Sequence, residues 1–251
     1  MEELKKRLKK KKWFLASSAK VRKQLLNLSP DCEGFLQDLL ERPDEIGGLR
    51  VLAMSELLIP TSRPIFGILP VFKVQKIDNP KIIFNYQYFS WKQGARCGVK
   101  GLVLIRQANA ITHFVFLRCE KFAIGGMGND CPGGFLESGE KNKNELEERF
   151  KIEIKEELGV GDIKIDEIID LGRLRVDSST TSSYPYLFVA IINGDEAKKL
   201  DHGNEENPDV TEVKLKTILS PVERLGEAIA SNDDSFFLAC VLRLREKKIL
   251  H

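Results

Sequence analysis

The chain has 251 residues, 42% apolar and 30% charged, with a formal charge of +2. That is the composition of a globular protein with a sizeable core, and it excludes disordered and fibrous classes. No apolar run approaches the roughly 20 residues that cross a bilayer, and no apolar core of a secretory signal follows the charged N-terminus, so a cytoplasmic protein is expected.

The charge is uneven. Residues 1–23 hold ten lysines and arginines against Glu2 and Glu3, and the remainder is net acidic. Such an end could meet nucleic acid or an acidic membrane surface, but only Trp13 and Phe14 offer stacking, so a solvated helix resting on Leu4, Leu8 and Leu15 is the preferred reading. Residues 2–27 read as one helix. Another opens at Asp31, carries Phe35, Leu36, Leu39 and Leu40 inward, and stops at Arg42-Pro43. Gly47-Gly48 leads into an apolar run at 49–58, and a strand-like stretch follows at 65–74. Residues 1–92 are therefore an α+β extension without a chemical motif, and residues 93–251 form the main domain.

From Gly98 the texture changes. Residues 99–105 and 113–118 are β-branched and aromatic around the polar turn 107–110, the pattern of a hairpin. A Gly/Pro-rich loop (125–139), a charged helix (142–158), strands at 163–176 and 184–192, a strand-like run at 210–218 and helices at 221–230 and 233–248 complete the chain. Strands flanking a central helix, with helices closing the other side, indicate an α/β sandwich. The five cysteines are odd in number and widely spaced, which speaks against disulfides and zinc. Cys131 beside the loop has no nearby histidine, so a thiol nucleophile has no support.

The chemistry lies between Gly133 and Val160. Glu153, Glu156 and Glu157 stand at i, i+3 and i+4, on one helix face. Crowded carboxylates repel, and a hard divalent cation turns that repulsion into affinity. Leu146, Phe150, Ile154 and Leu158 form the opposite, core-facing stripe. The competing reading is a solvated face of Glu–Lys pairs, against which the preceding glycine loop weighs.

The segment Gly134-x5-Glu140, followed by Glu153-Ile-Lys-Glu156-Glu157-Leu-Gly159-Val160, resembles the Nudix box. Eleven residues rather than seven separate its halves, and Ile152 stands where the family has arginine. Four extra residues are about one helical turn, which preserves the facing of both ends and sets Arg149 four residues before Glu153. The resemblance implies an α/β/α sandwich with a mixed sheet, plus the N-terminal α+β extension and C-terminal helices. It implies a Mg²⁺- or Mn²⁺-dependent hydrolase of a nucleoside diphosphate linked to another moiety, of ADP-ribose or nucleotide-sugar type. Gly134, Glu153, Glu156 and Glu157 would hold metal, the three glutamates being catalytic. Glu137, Glu140 and Arg149 would support them, and Glu205 or Glu206, or Asp209, would be the later-loop base. Residues 171–177 and 184–190 resemble the strand pair that follows the box in enzymes acting on ADP-ribose and nucleotide sugars, which makes Arg173 and Arg175 candidates for substrate phosphate. The partner is a small-molecule nucleotide, with a homodimer possible. Two alternatives compete: a non-catalytic Nudix-like nucleotide-binding module, and a nucleotide-sugar protein similar to the nucleotide-hexose 2,3-dehydratases, which residues 89–91 and 98–118 resemble.

Overall fold

The computed structural model describes residues 1–60, 67–121, 125–137, 140, 142–200, 215–232 and 234–250. The chain divides into two compact units, Met1–Cys97 with Arg175–Tyr184, and Gly98–Leu174 with Pro185–His251.

In the first unit, the single helix expected over 2–27 is three: α1 (Glu2–Leu8), α2 (Lys12–Ala16) and α3 (Ala19–Leu26). Hydrogen-bonding side chains set the last break. Ser17 is extended, its hydroxyl donating to the Trp13 carbonyl at 2.7 Å and accepting from the Met54 amide at 2.9 Å, while Ser18 caps α3. Serines that bond backbone in this way compete with helix continuation. Helix α4 (Glu33–Glu41) ends, as expected, before Pro43. Five strands follow: β1 (Glu45–Ile46), β2 (Leu49–Leu58), β3 (Gly67–Lys76), β4 (Ile83–Gln87) and β5 (Ser90–Trp91). They form an antiparallel sheet in the order β1-β2-β3-β4, with β5 on β3. Its buried face packs Met54 and Phe72 with Trp13, Phe14, Leu25, Phe35 and Leu36 from the helices.

The second unit is the expected α/β/α sandwich. Its strands are β6 (Val99–Gln107), β7 (Ala110–Lys121), β8 (Gly126–Asp130), β9 (Glu167–Arg173), β10 (Tyr186–Asn193) and β11 (Leu215–Pro221). The order is β11-β7-β6-β10-β9, with β8 beside β7; β6 and β10 are parallel and the remaining pairs antiparallel, so the sheet is mixed. The β6–β7 hairpin turns at Ala108 and Asn109, both at positive φ, as a two-residue turn matching strand twist demands.

On one face lie α5 (Lys143–Glu157) and α6 (Gly194–Leu200), burying Leu146, Phe150 and Ile154 against Val103 and Phe188. On the other lie α7 (Leu225–Ser231) and α8 (Ser235–Glu246), which bring Phe237, Val241 and Leu244 onto Leu102, Phe114 and Val189. The strand expected over 163–176 is shorter, because Ile163 leaves the sheet to fill the core beside α5. Among the described residues, no helix is long and apolar enough to cross a membrane.

Candidate active site

Helix α5 begins with a reciprocal cap: the Asn142 side chain accepts from the Glu145 amide, and Glu145 accepts from the Asn142 amide. The cap fixes where the helix starts, and the buried stripe Leu146, Phe150, Ile154 and Leu158 fixes its rotation. Glu153 and Glu157, one turn apart, then face the glycine turn.

The turn itself is pinned to β6. The Val99 amide donates to the Gly134 carbonyl at 3.0 Å and the Gly101 amide to the Pro132 carbonyl at 2.9 Å. Gly133 sits at φ +148°, and a side chain there would lie 2.1 Å from the Val99 carbonyl oxygen. Its amide donates to Glu157 Oε2 at 2.6 Å. A Cβ on Gly134 would fall 2.3 Å from Glu153 Oε1, so only glycine lets that carboxylate rest on the turn.

Burial pushes the Glu157 carboxyl up to about 7; Lys100 and the Gly133 amide oppose the rise, whereas Asp130 and Glu153 add to it. Glu153 is also raised, by burial first, with Arg149 opposing and Glu156 reinforcing. Glu156 itself is solvent-exposed. The structure therefore brings two of the three helix glutamates to the turn and leaves the third at the rim. Among the described residues, no three His, Cys, Asp or Glu side chains stand ready to share one metal ion.

Arg149, 8% exposed, gathers the other acids. It lies 2.7 Å from Glu137, 3.2 Å from Glu140 and 3.5 Å from Glu153. The Glu137 amide donates in turn to Glu140 Oε2 at 2.7 Å. Ile152 is 40% exposed, and the guanidinium serving this loop comes from Arg149, about one turn earlier.

Three residues of the site escaped the sequence reading. Lys100 Nζ donates to Asp130 Oδ1 and to the Cys131 carbonyl, both at 2.9 Å, and Lys121 also pairs with Asp130. Burial opposes the Lys100 charge, but Asp130 and Glu157 outweigh it and raise its pKa. Burial likewise opposes ionisation of Asp130, and Lys100 with Lys121 holds its carboxyl below the ordinary value. The available signal was a lysine early in an otherwise buried apolar strand, since an interior lysine needs an acid partner.

Arg173 ends β9, its carbonyl accepting from Arg243 at 2.8 Å. Arg175 belongs to the first unit, so the two arginines are not in one unit. Cys131 is buried and its thiol pKa raised by desolvation, so it is no nucleophile. Glu205, Glu206 and Asp209 lie outside the described residues.

No family model matches the chain, and no curated protein matches it. Among solved structures, the crystal structure of an ADP compounds hydrolase aligns with a TM-score of 0.54 at 14% sequence identity, covering 82% of this chain and 96% of that one. At that identity the likeness establishes shared architecture alone: the chain has an α/β/α fold in common with that hydrolase, and carries a glycine turn with partly buried glutamates on the helix after it.

Proposed function

We propose that the chain hydrolyses a diphosphate linkage in a nucleoside diphosphate joined to a second moiety, with Mg²⁺ or Mn²⁺ and with ADP-ribose or a nucleotide sugar as the favoured class. The observation that carries this reading is the seating of Glu153 and Glu157 against Gly133 and Gly134. The donor chemistry fits a hard cation: both groups are carboxylates, and burial and neighbouring carboxylates raise both pKa values, a penalty that a divalent ion relieves. Glu153, Glu157 and, from the rim, Glu156 would hold it, with the Gly134 carbonyl close by. When bound, such an ion neutralises the diphosphate and lowers the pKa of attacking water. Lys100 adds fixed positive charge beside Glu157, and Arg149 holds Glu153 and the loop acids in register. One of these glutamates, or Glu205 or Glu206 of the later loop, would accept the proton of the attacking water. Arg173 is the substrate-phosphate candidate in the second unit.

The neighbour's description as an ADP compounds hydrolase agrees with this substrate class. A panel of ADP-ribose, nucleotide sugars, dinucleotides and nucleoside triphosphates, each with Mg²⁺ or Mn²⁺, tests it. Release of a nucleoside monophosphate from one class, abolished in Glu157→Gln, is expected. Turnover that survives Glu153→Gln and Glu157→Gln would overturn the assignment.

One arrangement favours a second reading. Lys100 and Arg149 already neutralise much of the acidic cluster, as a non-catalytic nucleotide-binding module would require. Nucleotide binding without turnover on the whole panel would select it.

A further inference from the structure

The first unit encloses a cavity of about 570 Å³, every lining residue of which belongs to that unit. This volume lies within the roughly 300–1,000 Å³ of small-molecule sites. Its floor is one face of the five-stranded sheet: Phe72 and Val74 alternate along β3, Val51 pairs with Val74, and Tyr86 pairs with Phe72. The end of α4 supplies one wall through Asp38, Glu41 and Arg42, and the segment Arg175–Tyr184 supplies the other.

That second wall is held by backbone rather than by chance packing. Phe89 exchanges hydrogen bonds with Thr180 (2.7 Å) and Ser182 (3.1 Å), and Tyr86 Oη donates to the Ser179 carbonyl at 3.0 Å. The cavity is therefore built before anything enters it, and little ordering entropy would be lost on binding.

Two guanidinium groups face this space, each layered on an aromatic ring. Arg42 lies 4.4 Å over Tyr88, and Arg175 lies 5.5 Å over Tyr184. Neither forms an ion pair among the described residues. The carboxylates closest in the wall are engaged elsewhere, since Asp38 accepts from the Ala95 amide and Glu41 from Gln37 at 2.9 Å. Arg42 Nε is buried without a hydrogen-bond partner among the described residues, so guanidinium donors are left for an incoming anion, beside stacked planar surfaces and the exposed serines 178 and 179. Aromatic and guanidinium planes stack on any nucleobase, and arginine with hydroxyl donors suits a phosphate.

We propose that this cavity is a nucleoside-monophosphate site, the base lying on the Tyr88–Arg42 stack and the phosphate taken by Arg175 and the serine hydroxyls. The inference is independent of hydrolysis in the second unit, because nothing in this cavity calls for a metal.

Calorimetric titration of the full chain with AMP, adenosine and inorganic phosphate, all in the presence of a chelator, tests it. AMP is expected to bind more tightly than adenosine or phosphate. Its affinity should fall roughly tenfold or more in Arg42→Gln and in Arg175→Gln, the loss of one charge-assisted contact. Glu157→Gln should bind AMP as the wild type does. No binding of AMP, equal affinity for AMP and phosphate, unchanged affinity in both arginine variants, or loss confined to Glu157→Gln would each overturn the proposal. Arg175 is exposed, so Arg175→Gln carries the test should Arg42→Gln fail to fold.

Discussion

Arg149 holds three acids from a position that admits almost no water, and its neighbours Glu140 and Glu153 are themselves largely buried. Removing the guanidinium leaves those two carboxylates uncompensated, which costs about 3 kcal/mol for a buried group. Arg149→Ala is therefore expected to lower the free energy of unfolding by that amount, read from urea titration as a lower midpoint, whereas loss of Glu137, whose side chain is 75% exposed, should cost far less. A second consequence concerns pH. Glu157 titrates near 7 in the folded chain and near 4.5 when unfolded. Between those values the unfolded chain releases a proton that the native chain keeps, so native stability falls as pH rises through the window. Glu157→Gln should thus be more stable than wild type by on the order of 1–3 kcal/mol at about pH 8 and nearly equal below about pH 4. Unfolding titrations at both pH values check this, and a gap independent of pH would contradict it. Of these partners, the Arg149–Glu153 spacing was legible, being four residues on one helix. Lys100 was not, because Asp130 lies 30 residues away and only the fold unites them.

At the scale of elements, the glycine turn separates stability from chemistry. A methyl group on Gly133 meets the backbone carbonyl of Val99 at 2.1 Å, in a φ region that side chains rarely adopt. The nearest atoms to a methyl group on Gly134 are the end of the Glu153 side chain, which rotates away. Gly133→Ala is expected to cost about 3 kcal/mol or more, as backbone strain does, while Gly134→Ala costs about 1 kcal/mol or less yet displaces Glu153 and lowers turnover at least as far as Glu153→Gln. Thermal melting beside the hydrolysis assay distinguishes them, and equal melting temperatures would refute the assignment of roles. Helix α5 could be read in advance because cap, stripe and acidic face agree on one period. The N-terminal helix could not be divided at its second break, because that break depends on Ser17 bonding to Met54 across 37 positions, a contact with no local signature.

Over the whole molecule, the chain leaves its first unit at Cys97, re-enters it for Arg175–Tyr184, and departs again. Local texture marks the change near Gly98, but the return has no compositional mark: it is made by hydrogen bonds to residues some ninety positions earlier. Five of them are Phe89 to Thr180, Ser182 to Phe89, Tyr184 to Ala95, Tyr86 to Ser179 and Ser182 to Ser90. Each is worth about 0.5–1.5 kcal/mol net, and buried Ser90 loses more when left without its partner. A fragment of residues 1–97 therefore lacks both these bonds and one wall of the cavity, although its apolar core of Trp13, Phe35 and Phe72 is complete. It should fold, but with stability lower by several kcal/mol than the same fragment carrying residues 175–184 on a flexible linker. Denaturant unfolding of the two fragments measures the difference. Equal midpoints would mean that the returning segment rests on the first unit without stabilising it; the expected gap makes that segment part of the unit's fold, and ties completion of the cavity wall to synthesis of the chain beyond residue 184.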